Sequence, residues 1–163
     1  MTRQELQNLK AGEMFYYSGE MLLARDAAHL RLWKLLQEGK DLPLSLENKA
    51  IFYAGPILNE EKIISCGPTT SARMDKFTPA FLEKGVKLLI GKGPRNGEVQ
   101  RSLRKNKAVY ALALGGCGVL YARSIISQEI VLYPELATEA IRKLIVDKMP
   151  LWVGIDAYGR SIL

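Results

Sequence analysis

The chain has 163 residues, 23 Lys and Arg against 17 Asp and Glu, a formal charge of +6 and 48% hydrophobic content. That length is enough for one domain over residues 1–163 with a sizeable core and no metal or disulfide staple. The positive charge favours anionic partners, but the basic residues are dispersed and build no zinc finger, basic helix or aromatic ribonucleoprotein motif, so nucleic acid is not expected.

Cys66 and Cys117 are the only cysteines. They lack the short spacings that zinc or a self-contained iron-sulfur cluster needs, so no metal is expected on this chain. The opening MTRQELQNLK lacks the apolar run of a secretory signal, which predicts a cytoplasmic protein with free thiols. The longest uncharged run, 108–122, is broken by Gly115, Gly116 and Gly118. It is shorter than the roughly 18 residues of a membrane span, so no membrane association is expected.

In chain order, apolar patterning predicts a strand at 14–17, a helix over about 25–37, and strands at 50–53 and 62–65. A helix over 71–84 follows, then a strand at 86–90, a short helix after Asn96, a strand at 108–114 and a short helix after Gly116. The clearest helical stripe runs over 134–148, with Leu136, Ala140, Ile141, Leu144 and Ile145 on one side and Pro150 as its stop. A last strand is predicted at 151–155. Three of the strands, VKLLI, AVYALAL and LWVGI, are almost wholly apolar, which predicts helices on both faces of that part of the sheet. The N-terminal third, with short strands between Gly12, Gly19, Gly55 and Gly67, predicts a barrel-like or antiparallel part. The fold class is α/β.

The stretch Gly67 to Asp75, GPTTSARMD, lies between a strand and a helix. Thr69, Thr70 or Ser71 can cap that helix, whose positive end would attract an anion, and Arg73 one turn on can grip a carboxylate bidentately. A capped helix with a surface arginine explains the same spacing. Lys92, between Gly91 and Gly93, follows a buried strand, the strand end where α/β proteins bind ligands; GKG is not a phosphate-binding P-loop. Cys117, in GGCG, reads as a small buried residue. Arg25 and His29 are four apart on the first long helix and share a face. His29, the lone histidine, reads as a core residue satisfied by its neighbours, and Asp26 suits the helix start. Trp33 and Trp152 read as core or subunit-interface residues.

RDAAH at 25–29, YAGP at 53–56, GPTTSARMD at 67–75, GKG at 91–93 and LGGCG at 114–118 together resemble the β subunit of class I, iron-sulfur-dependent fumarate hydratases, or the C-terminal domain of single-chain versions. The likeness runs from about Gly12 to the closing GIDAYGR at 154–160. It implies a swivelling β/β/α domain and an α subunit holding a [4Fe-4S] cluster on three cysteines, in an α2β2 hetero-oligomer. It also implies reversible hydration of fumarate to malate. By this resemblance Arg25, Arg73 and Lys92 bind the substrate carboxylates and Thr69 is the base. Asp26 and His29 orient Arg25, with Thr70, Gly67 and Gly91 in support. The β subunit of tartrate dehydratase shares GPTT and GKG and is the nearest alternative. A phosphate- or nucleotide-binding module is the alternative of another class, although GxGxxG and a Walker lysine are absent.

Overall fold

The computed structural model describes all residues from Met1 to Leu163. Its strands are β1 (Met14–Leu23), β2 (Ala50–Phe52), β3 (Ala54–Asn59), β4 (Lys62–Pro68), β5 (Leu88–Gly91), β6 (Val109–Leu112), β7 (Ile125–Leu132) and β8 (Ile141–Ile155). The helices are α1 (Arg3–Gln7), α2 (Asp26–Gln37), α3 (Thr78–Glu83), α4 (Gly97–Asn106) and α5 (Gly118–Arg123).

The main sheet runs β1-β2-β5-β6-β8-β7, and β8 also pairs with β1. Five strands therefore close into a barrel, with β7 appended to β8. β1, β2, β5 and β6 are mutually parallel, while β8 is antiparallel to both of its barrel neighbours. β3 and β4 form a separate hairpin.

Closure explains the wholly apolar strands. Ala50, Phe52, Leu88, Ile90, Val109, Ala111, Leu151 and Val153 share the inner core, which Leu6 of α1 and Tyr121 of α5 also join. The alternate residues Ile51, Leu89, Tyr110 and Ile155 face the outer core under α2, α3 and α4. Both faces are buried, as the composition predicts, but α2, α3 and α4 lie over the outer one, while the inner face packs mainly against itself with contributions from α1 and α5. The barrel also draws on the whole chain, with the N-terminal β1 zipped to the C-terminal β8.

The predicted helix over 134–148 is corrected. Pro134–Glu139 is a 3-10 segment interrupted at Ala137 (φ 52°, ψ −110°), and the rest belongs to the fifteen-residue strand β8. The stripe of Leu136, Ala140, Ile141, Leu144 and Ile145 fits a helix, but the segment lies between two strands that need a partner. β8 pairs with β1 on one edge and β7 on the other, so backbone hydrogen bonding overrides the helical pattern. Pro150 sits inside β8, opposite Tyr16, past the last β7 pair at Val146 and before the first β6 pairs. There β8 has a neighbour on one side only, which is where a sheet tolerates a residue without an N–H.

The helix predicted over 71–84 is two pieces, a 3-10 turn over Ser71–Met74 and α3. α2 matches its prediction, and α4 begins where Asn96 caps it by accepting from the Val99 N–H at 2.9 Å.

Candidate active site

Parallel strands bring their C-terminal ends to one rim, and four of the conspicuous sequence motifs leave the sheet there. β1 leads through Ala24 into Arg25, β2 into Tyr53, β5 into Lys92 and β6 into Gly115. The β3–β4 hairpin starts from this rim and returns to it, pairing Ala54 with Pro68 and Gly55 with Gly67. It thereby delivers Thr69 beside the residue from which the hairpin departed. The Thr69 N–H bonds the Tyr53 carbonyl at 2.8 Å and its Oγ1 donates to the same oxygen at 3.1 Å.

The next residues stitch the turn to the lysine loop. Thr70 and Lys92 form a parallel bridge, and the Ser71 N–H donates to the Lys92 carbonyl at 3.0 Å. Gly93 takes a φ of +81°, which favours glycine. Gly91 is required by proximity: a Cβ there would overlap Ser71 Oγ and lie 3.0 Å from Tyr53 Cδ2. At Gly115 a Cβ would touch Lys92 Cδ at 4.0 Å, so the lysine stem runs along the β6 loop. A Cβ on Gly67 would meet nothing within 4 Å, whereas its backbone is closely approached by Gly118, where a Cβ would stand 3.1 Å from the Gly67 nitrogen.

Two arginines form an adjoining group. Arg25 lies over the hairpin, its Nη1 3.3 Å from where a Gly55 Cβ would stand. Glu139 Oε1 is 3.2 Å from Arg25 Nε but off the line of its N–H, so it balances the charge without a hydrogen bond. Arg73 makes a two-pronged pair with Asp26, Nε to Oδ1 at 2.9 Å and Nη2 to Oδ2 at 3.0 Å. Burial works against the charge on Asp26, but the Arg73 bonds and charge outweigh it and hold its carboxyl below the ordinary range. Asp26, Arg73, Lys76 and Glu139 help line a cavity of about 320 Å³. Thr69 and Lys92 lie outside that lining, so the residues stand as two neighbouring groups joined through Tyr53 and Gly55.

Two details differ from expectation, while His29 is the core residue that its sequence context predicts. No side chain caps the turn after Thr70, and a four-residue 3-10 segment has no helix dipole to offer an anion, so cationic side chains must supply that attraction. Asp26 holds Arg73, and the acid beside the Arg25 guanidinium is Glu139. His29 bonds only the Arg25 backbone carbonyl, Nδ1 to oxygen at 3.0 Å. It is fully buried, with Tyr53 edge-on and Phe77 and Phe81 tilted against its ring, and burial pushes its pKa down to about 4. Thus His29 is a neutral core group near neutral pH.

A model of the fumarase C-terminus matches residues 1–163. The chain belongs to the fumarase C-terminus family. Among members of this family, the L(+)-tartrate dehydratase subunit beta of Escherichia coli strain K12 is 35% identical to it over 167 residues, covering 98% of this chain and 82% of that one. A Methanocaldococcus jannaschii chain, named provisionally for the same subunit, is 34% identical over 170 residues, covering 99% and 87%. Fumarate hydratase 2 of Leishmania major is 31% identical over 164 residues, which is 98% of this chain and 29% of that longer one.

In this fumarase C-terminus chain, Cys66 is buried and its thiol is pushed up to about 12 by burial, while Cys117 is half-buried at the start of α5. No three His, Cys, Asp or Glu side chains gather into a metal site, so the residues present do not fit as ligands of an iron-sulfur cluster. No helix is long and apolar enough to cross a membrane. Trp33 packs on the outer core, edge-on to Phe77, and Trp152 is half-buried in β8. Sequence reasoning missed Glu139, Tyr53, Arg95 and Tyr110. Glu139 lay inside a supposed helix; the tyrosines, polar residues within apolar strand runs, were the available signal of a buried polar partner.

Proposed function

We propose that the chain is the β-type subunit of a heteromeric hydro-lyase that adds water to, or removes it from, a small dicarboxylate, with fumarate and malate as the preferred pair. Supporting this are the family match over the whole chain and relatives named as hydro-lyase subunits or enzymes. The observation that carries it is the gathering of Arg25, Thr69, Arg73 and Lys92 on the loops of one rim.

A dianion leaving water needs cations to offset its lost hydration. Arg25 and Arg73 each face an acidic neighbour, and the substrate carboxylates take the place of Glu139 and Asp26 as charge partners. Arginine suits this exchange because its planar fork accepts one carboxylate for another without changing shape. Lys92 supplies a third charge beside the Thr69 turn. Thr69 Oγ1, once its own proton has passed to solvent, acts as an alkoxide that takes the proton from the carbon next to a carboxylate and returns to the hydroxyl. The neighbouring cations stabilise the alkoxide and then the negative charge that develops on the substrate. Thr70, Gly67 and Gly91 shape the turn around it, Asp26 holds Arg73 ready, and His29 anchors the backbone beneath Arg25.

The [4Fe-4S] cluster belongs, in this reading, to an α subunit, since this chain offers only two cysteines and no group of three metal-ligating side chains. An α2β2 assembly in the cytoplasm, where Cys66 and Cys117 stay reduced, completes the proposal.

Tartrate is the second reading, favoured by relatives at 35% identity that carry that name over most of their length. Anaerobic mixing with the cluster-bearing partner, followed by turnover of malate, fumarate and tartrate, separates the two. We expect malate and fumarate to react faster. Faster tartrate turnover assigns the chain to tartrate, and no turnover of any dicarboxylate by an assembled, cluster-loaded complex removes the proposal.

A further inference from the structure

Beneath the Thr69 turn and the lysine loop lies a charge that the proposed chemistry does not use. Arg95 follows Pro94, and its side chain has no exposure. Its Nε donates to Asp75 Oδ1 at 2.6 Å and its Nη2 to Thr78 Oγ1 at 2.6 Å, while Asp75 Oδ2 accepts the Asn96 N–H at 2.8 Å. The guanidinium carbon stands 5.4 Å from the ring centre of Tyr53 and 5.0 Å from that of Tyr110, so both aromatic faces help stabilise it.

Each tyrosine reaches one of the site loops. The Tyr53 carbonyl accepts both the N–H and the hydroxyl of Thr69. The Tyr110 hydroxyl donates to the Gly93 carbonyl at 2.8 Å and shares a bond with Ser71 Oγ at 3.0 Å. A buried ion pair is costly to desolvate and is retained more readily where it fixes an arrangement. This one ties the strand behind Thr69, the turn after it and the loop of Lys92 to a single cation.

We propose that Arg95 is a positioning residue: held between Tyr53 and Tyr110, it fixes Thr69 and Lys92 relative to one another. The inference rests on the function proposed above, in which those two residues meet the same substrate.

Tyr110→Phe tests it with little risk to folding, because the ring stays over the guanidinium and only the hydroxyl joining Ser71 to Gly93 is lost. In the complex with the cluster-bearing partner, kcat is expected to fall about tenfold to a hundredfold, with a smaller change in KM. Amide hydrogen exchange on the full chain gives a readout independent of turnover. The Ser71 N–H should exchange faster in the variant, while the Asp147 N–H, bonded to Ser124 outside this network, keeps its rate. Arg95→Met would strand the Asp75 carboxylate and endanger folding, so Arg95→Lys is the companion variant and should shift both readouts the same way. Unchanged exchange at Ser71, or a wild-type kcat, in both variants overturns the proposal. A wild-type complex that turns over no dicarboxylate overturns the proposed function instead, and exchange then decides alone whether this cluster joins the two loops.

Discussion

His29 shows how burial can convert a reactive side chain into a structural one. Its pKa falls from an ordinary 6.5 to about 4, with desolvation as the chief cause. Between those values the unfolded chain holds a proton that the folded chain refuses, so stability rises with pH across that window and is lost as pH falls. From pH 7 to pH 5 the loss attributable to His29 is about 2 kcal/mol. His29→Phe, which keeps an aromatic ring among Tyr53, Phe77 and Phe81, should flatten that decline. Urea denaturation of both proteins at the two pH values checks it; parallel declines would show that the histidine is not the acid-labile group.

Thr69 stands in the opposite situation, half-buried at the rim with its hydroxyl tied to one carbonyl. Thr69→Ala removes that single bond, worth about 1 kcal/mol of stability, and leaves the backbone bridge at Lys92 in place. Turnover in the assembled enzyme should nevertheless drop roughly 10²- to 10⁴-fold. Steady-state kinetics alongside a thermal melt would separate the two effects, and near-normal turnover would exclude Thr69 as the proton acceptor.

Among the elements, the junction of β5 with the Thr69 turn is the least forgiving. Gly91→Ala inserts a methyl where Ser71 Oγ and the Tyr53 ring already stand. Overpacking of this kind costs about 1–3 kcal/mol, and relief requires moving the turn that carries Thr69, so activity should fall more steeply than stability. Comparing the melting shift with kcat for this variant tests that ordering. The sequence made the elements here partly readable: apolar runs marked β2, β5 and β6, and glycines marked the loops after them. It misplaced β8 because Leu136 to Ile145 satisfy a helical stripe, and only pairing with β1 and β7 shows that the segment is extended. It missed β7 because Ile126, Ile130 and Val131 are exposed and the strand presents no clean alternation.

For the whole molecule, barrel closure makes neighbouring residues serve separate cores. Leu88 faces the inner cluster and Leu89 the outer one, and both are fully buried. Leu88→Ala and Leu89→Ala should each cost about 2–5 kcal/mol, measured by chemical denaturation, whereas a sheet with one wet face would register only one of them. The same closure gathers the site. Parallel β1, β2, β5 and β6 must all end on one rim, so loops separated by up to ninety positions in the chain, from Arg25 to Gly115, become neighbours. The sequence alone determined the α/β class, the family motifs and the residue types able to meet a dianion, because composition, local periodicity and short motifs are written in adjacent residues. Only the tertiary structure decided that Glu139 faces Arg25, that Asp26 grips Arg73, that His29 is neutral, and that Arg95 underlies the two loops. Those facts depend on strand register and burial, which bring together residues far apart in the chain, and neither spacing nor propensity encodes them.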